Sequence, residues 1–190
     1  MAFTSGTATD YLDLLLIHRP DPLMNADEVA DAFVQLKQSG KVRHFGVSNF
    51  TPYQFDLLQS RLDFPLVTNQ VEVNPVNIFA LHDGTLDQMQ MKRIRPMIWS
   101  ALGGGSIFTA QTEQTHRLRT VLGNVSEELG GASPDQVIYA WVLKLPSQPL
   151  PIIGSGNIER VRSAVAAKEI NLTREQWFSI WEAAAGHEVP

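Results

Sequence analysis

Short apolar runs alternate with amphipathic stretches along this chain, and each run gives way to a turn or a helix-start signal. That pattern commits the chain to strand–helix units, and short links between such units mean a parallel sheet. The first unit begins with Tyr11 to Ile17, nearly all apolar, and ends in His18-Arg19-Pro20. So few polar positions predict a strand buried on both faces, with helices outside and a packed interior within. Asn25 stands three residues before Glu28 at capping-box spacing. Val29, Ala30, Phe33 and Leu36 follow at helical intervals, and Gly40 is a natural stop.

The cycle then repeats. Val42 to Val47 reads as a strand ending in Ser48-Asn49, and Thr51-Pro52 has the cap-then-proline order of a helix start. Leu66 to Val73 is a third strand, Thr85 to Arg93 a helix, and Pro96 to Ala101 a fourth strand before Gly103-Gly104-Gly105. A long amphipathic helix carries Leu118, Val121, Leu122, Val125 and Leu129, and another starts at Ser133-Pro134. Leu150 to Ile153 is the last strand, and Asn157 caps the helix after it. Thr173 and Gln176 form a capping box for a terminal helix with room to lie across the outside.

A doubly wound open sheet and a barrel both fit this alternation. With 190 residues, the chain is most simply one domain, shorter than the roughly 250 residues of an eight-unit barrel. The polar residues favour the barrel, because nearly every strand exits into a candidate functional group. In barrels all those exits converge on one mouth, whereas an open sheet gathers its site at the switch point.

His18 closes a strand; its imidazole either contacts a substrate carbonyl or ends the strand as a satisfied, half-buried group. Ser48, Asn49 and Gln70 suit a planar neutral group such as a carboxamide, or else cap turns. Glu72 needs a partner, and a basic neighbour is the expectation. Trp99, followed by Ser100, offers an indole face for stacking on a bound ring, or fills the core. Gly154-Ser155-Gly156 lets a backbone approach an anion, with the following helix aiming its free amides there, or is a plain turn. Arg160, unfavourable for the helix dipole in that first turn, would recover its cost against a phosphate. Glu159 stands where a dinucleotide fingerprint has its third glycine, so the stretch is not that motif.

Other chemistries find little support. With no cysteine, there is no disulfide, thiol nucleophile or thiolate metal site. The five histidines are scattered without metal-ligand spacing, and a net charge of -5 without basic runs argues against nucleic acid. No apolar stretch nears the ~18 residues of a membrane span, and the opening is not a secretory signal, so a cytoplasmic protein is expected.

Tyr11-Leu12-Asp13-Leu14-Leu15-Leu16-Ile17-His18-Arg19-Pro20, Gly40-Lys41-Val42-Arg43-His44-Phe45-Gly46-Val47-Ser48-Asn49 and Thr68-Asn69-Gln70-Val71-Glu72 resemble the aldo-keto reductases. Ile152-Ile153-Gly154-Ser155-Gly156 and Glu159-Arg160 belong to the same pattern. The resemblance runs from about Asp10 to Pro190 and is to the C-terminal part of the family's barrel, strands four to eight with their helices. It implies an α/β fold, a partial TIM barrel over residues 10–190 behind a flexible lead of residues 1–9. It further implies NADP(H) as cofactor and an aldehyde or ketone as small-molecule substrate. His18 matches the family's catalytic histidine, and Ser48, Asn49 and Gln70 match its carboxamide-binding residues. Trp99 matches the ring that stacks on nicotinamide, with Ser100 beside it. Ser155 and Arg160, with Gly154 and Gly156, match the grip on the 2'-phosphate. In that family the first three strands, a segment of about 100 residues, carry the catalytic aspartate, tyrosine and lysine. Tyr11 and Asp13 lie inside the strand resembling the fourth and cannot take those roles. The expectation is therefore a chain inactive alone, completed by a companion N-terminal segment or covering its open face by self-association. A non-catalytic cofactor-binding or interaction module and a truncated product are the alternatives.

Overall fold

Apolar runs too short for helices pair edge to edge here, and the amphipathic stretches between them fold back to cover one side. The computed structural model describes residues 9–189, so the expected lead, Thr9 apart, lies outside the described residues. Five parallel strands run in the order of the sequence: β1 (Leu12–Ile17), β2 (Val42–Ser48), β3 (Leu66–Glu72), β4 (Met97–Trp99) and β5 (Leu150–Pro151). Between them come α1 (Ala26–Gln38), α2 (Pro52–Gln59), α3 (Phe79–His82), α4 (Thr85–Lys92), α5 (Ser106–Thr109), α6 (Glu113–Glu128) and α7 (Pro134–Leu143). The chain ends with α8 (Ile158–Ala166) and α9 (Arg174–Ala185). Sequential parallel order without a switch point is the arrangement of a barrel wall rather than a doubly wound sheet.

The helix starts follow their caps. Asn25 accepts from the amides of Asp27 and Glu28, although its return contact to Glu28 is side chain to side chain rather than a full capping box. Thr51 and Thr173 form complete boxes with Gln54 and Gln176. The short α3 and α5 were not anticipated; at one turn each they carry no periodicity to read. The strands β4 and β5 are shorter than the apolar runs that signalled them, because ladder pairing to their neighbours ends early.

The core lies between the sheet's outer face and the helices. Phe45 and Val47 of β2 are fully buried against Phe33 of α1 and Phe55 and Leu58 of α2. Ile98 of β4 is sealed beneath a larger cluster including Leu118, Leu122, Ile138 and Trp141. The terminal helix α9 lies on the outside as expected. There Trp141 and Trp177 stack at 4.7 Å, each indole N–H donating to the other's backbone carbonyl at 3.0 Å.

The inner face is different, and it corrects the expectation of strands buried on both sides. Its side chains are Leu14 and Leu16 on β1, His44, Gly46 and Ser48 on β2, and Thr68, Gln70 and Glu72 on β3, kept in phase by a register shift beside Phe45. Met97 and Trp99 on β4, with Leu150 on β5, complete it. Leu14, Leu16 and Met97 are only half-buried, His44 is exposed, and Leu150 is 42% exposed. The β1 run is apolar on both faces, but no layer among the described residues lies opposite its inner side, and none of its residues is fully buried.

Candidate active site

Because all five strands are parallel, their C-terminal ends share one rim, and the residues singled out at the strand exits lie along it, while Arg160 stands in the first turn of α8. His18 directly follows β1, Asn49 follows β2, Gln70 and Glu72 end β3, Trp99 ends β4, and Ser155 follows β5.

The structure joins four of these residues into one hydrogen-bonded chain across three strands. The Trp99 indole N–H donates to Oδ1 of Asn49 at 3.0 Å. Nδ2 of Asn49 donates to Oγ of Ser48 at 3.0 Å, and that hydroxyl donates to the Gln70 carbonyl at 2.8 Å. The same carbonyl accepts the backbone N–H of Asn49 at 2.9 Å. Asn49 adopts a left-handed backbone with φ of 59°, a conformation that costs a non-glycine residue about 1–2 kcal/mol. These bonds and the next residue hold it there. Phe50 is clamped by Asn69, whose buried side chain donates to the Phe50 carbonyl at 2.7 Å and accepts its N–H at 3.4 Å.

Asn69 was missed as a site residue. Its signal in the sequence was an amide alternating with Val67 and Val71 on the apolar face of β3, where a buried polar group needs a specific partner. Ser100 repeats the pattern of Asn49 at the next exit, with φ of 54°. Its carbonyl accepts from Nδ2 of Asn74 at 3.0 Å. Glu72, expected to meet a basic neighbour, instead accepts from Asn74 at 3.1 Å and makes no ion pair among the described residues. A half-buried carboxylate at the rim stays partly solvated, so a cation is not required.

His18 is exposed, with no hydrogen-bond partner among the described residues. At the far end of the rim, Ser155 accepts the Asn157 amide N–H at 3.2 Å. Asn157 in turn caps the amides of Glu159 and Arg160 at 2.9 and 3.4 Å. The expectation of free amides at the start of α8 is corrected accordingly, since the capping side chain already satisfies two of them. What remains is Arg160, exposed and outside any ion pair among the described residues, while Arg162 is engaged by Glu159 at 2.7 Å. Gly154 and Gly156 have no positive φ, and a Cβ added to either would meet nothing within 4 Å. Nothing inside the described chain requires glycine at those positions.

A cleft of about 200 Å³ opens beside Asn49, Glu72, Trp99, Asn77 and Phe79. It is smaller than the roughly 300–1,000 Å³ of ordinary ligand pockets, as suits a rim with one wall. Among the described residues, no group of three or more histidine, aspartate or glutamate side chains is arranged to hold a metal ion, and no helix is long and apolar enough to cross a membrane.

A sequential parallel sheet with its polar groups gathered at the strand exits defines a barrel-type α/β protein, and the aldo/keto reductase family profile matches residues 5–185. The chain belongs to that family. It is 67% identical over 183 residues to the oxidoreductase YdhF of Escherichia coli K12, covering 96% of this chain and 61% of that protein. A 6-dehydroglucose reductase of Agrobacterium fabrum is 42% identical over 181 residues, covering 95% of this chain and 60% of its own length. A crystal structure of a thermostable aldo-keto reductase, Tm1743, in complex with the inhibitor epalrestat, superposes with a TM-score of 0.81 at 28% identity. That superposition covers 92% of this chain and 61% of the other. The chain thus spans about three fifths of the length of the relatives it matches.

Proposed function

We propose that this chain is the cofactor-holding side of an NADP(H)-dependent carbonyl reductase, corresponding to strands four to eight of the family's barrel over residues 10–190. The hydrogen-bonded chain Trp99–Asn49–Ser48–Gln70 carries this reading. Once those bonds are made, Asn49 retains one N–H and one oxygen lone pair by count, the complement of a primary carboxamide. The bound dinucleotide would supply hydride to the carbonyl carbon of an aldehyde or ketone. The chain's own residues would bind and orient: Asn49, with Ser48 and Gln70, the carboxamide; Trp99 and Ser100 the ring's surroundings; His18 the substrate oxygen. Ser155 and Arg160 would take the 2'-phosphate, with Gly154 and Gly156 giving the room that their open surroundings leave. The residues present fit such a group, since Arg160 is a cation outside any ion pair among the described residues, and the rim offers a carboxamide-shaped pair of hydrogen-bonding groups.

The catalytic aspartate, tyrosine and lysine would come from polypeptide outside this sequence, so the chain alone should not reduce carbonyls. The half-open inner face supports the same division. Leu14, Leu16, Met97 and Leu150 present apolar surface of the kind a companion layer buries. A companion segment of the length by which the relatives exceed this chain is the occupant we favour. A cytoplasmic location, where reduced dinucleotide is available, goes with this reading.

Calorimetric titration with NADPH and NADH tests the proposal. Weak binding that prefers NADPH is expected, and Arg160→Ala should reduce that preference about tenfold or more, the worth of one charge-assisted contact. Equal affinity for the two nucleotides, unchanged by Arg160→Ala, would remove the phosphate grip. Sustained NADPH oxidation with an aldehyde by the pure chain, lost in His18→Ala, would show that no outside catalytic group is needed. A sedimenting dimer would replace the companion segment with a second copy.

A further inference from the structure

We propose that Trp99 is a positioning residue whose indole N–H fixes the orientation of the Asn49 amide, and so selects a carboxamide-bearing ring at this rim. The inference rests on the cofactor reading above and adds a role that stacking does not contain.

The argument is one of donors and acceptors. An indole nitrogen can only donate, so the atom facing it at 3.0 Å must be the amide oxygen of Asn49, and Nδ2 is forced to the opposite side. There it meets Oγ of Ser48 at 3.0 Å. A hydroxyl that accepts from Nδ2 must send its own proton elsewhere, and the Gln70 carbonyl at 2.8 Å receives it. Every group along this path therefore has one direction. Reversing the Asn49 amide would set Nδ2 against the indole N–H, donor to donor. A phenylalanine at Trp99 would keep an aromatic face and remove that directional constraint. The amide could then present either its oxygen or its nitrogen to a ligand.

The backbone makes the arrangement consequential. Asn49 lies in the left-handed region, and its side chain leaves the end of β2 from that unusual geometry. Its N–H is held by Gln70 and the next residue by Asn69. The main chain is thus fixed independently of Trp99, which leaves the amide's rotation as the one freedom that the indole removes. Trp99 itself is only half-buried, so its N–H is not placed there merely to satisfy a core tryptophan.

The test has two arms. Without ligand, the Trp99 indole proton should exchange with solvent more slowly than that of Trp181, whose indole nitrogen has no hydrogen-bond partner among the described residues. That protection should vanish in Asn49→Gly, a variant that tolerates the left-handed backbone. With ligand, Trp99→Phe should weaken NADPH binding about fivefold, the worth of one neutral hydrogen bond. Adenosine 2',5'-bisphosphate, which lacks the nicotinamide, should bind as before. In the Asn49→Gly background Trp99→Phe should add nothing, whereas a lost stacking contact would still register. An unprotected indole in the wild type, an equal loss for both ligands, or full additivity of the two variants overturns the proposal. Absence of binding to either ligand by the wild type sinks the cofactor reading instead, and the exchange arm tells the two failures apart.

Discussion

Replacing Gly46 by alanine should destabilise the chain sharply, for a reason visible only in three dimensions. The glycine has no positive φ, so its backbone would accept any side chain. Its surroundings would not. A Cβ at this position would sit 2.7 Å from Cδ2 of Leu16, 2.8 Å from the carbonyl oxygen of Thr68 and 2.9 Å from Cγ2 of Thr68. All three distances are below the closest approach that carbon tolerates. The leucine tip can swing, but the Thr68 oxygen belongs to the backbone of β3 and moves only with the strand. Overpacking of this kind costs typically 1–3 kcal/mol, and an immovable partner places this case near the upper end, about 3 kcal/mol. At roughly 2–4 °C per kcal/mol for a chain of this size, the midpoint of thermal unfolding should fall by about 6–12 °C. Gly123→Ala is the control. That glycine lies within α6 with nothing within 4 Å of an added Cβ, so alanine should stabilise by about 0.5–1 kcal/mol through helix propensity alone. Denaturation followed by circular dichroism, with both variants at equal concentration, reads the two signs. A Gly46→Ala midpoint within about 1 °C of the wild type would mean that β2 and β3 are not packed as described.

Two further outcomes follow from the packing. Trp177→Phe should cost about 1–3 kcal/mol in urea unfolding, since it strips the donor from the Trp141 carbonyl, one of the last-turn acceptors of α7 with no partner inside its own helix; a change below a few tenths would deny the interlock between α7 and α9. Tyr139 has its hydroxyl pKa raised above the ordinary 10.0, first by burial and then by the charge of Asp135. A raised pKa in the folded state contributes stability that is complete below pH 10 and is lost as pH climbs toward the folded value. Tyr139→Phe should therefore flatten the fall in stability above pH 10, with no effect from this titration at neutral pH, and an alkaline limb as steep as in the wild type would contradict it.

Much of the architecture was legible in the order of residues. Continuous apolar runs such as Tyr11 to Ile17 mark strands because a two-sided layer needs few polar positions, and caps such as Thr51-Pro52 and Thr173 mark helix starts because free amides need acceptors. The rim could be anticipated for the same reason: parallel strands joined by helices send all their exits one way. The one-turn α3 and α5, the clamp by Asn69 and the fate of Glu72 were not legible, since each depends on partners far along the chain. Asn69 is 19 residues from the Phe50 it clamps.

Sequence alone, then, determined the strands, the longer helices and which polar groups stand at the strand ends, because periodicity and capping are local. Only the tertiary structure decided that Trp99 donates to Asn49 across 50 residues, that Gly46 must lack a side chain, and that the inner face lies half-open. Those features arise where separate strands meet, and hydrogen-bond direction and steric contact exist only once the register between them is set.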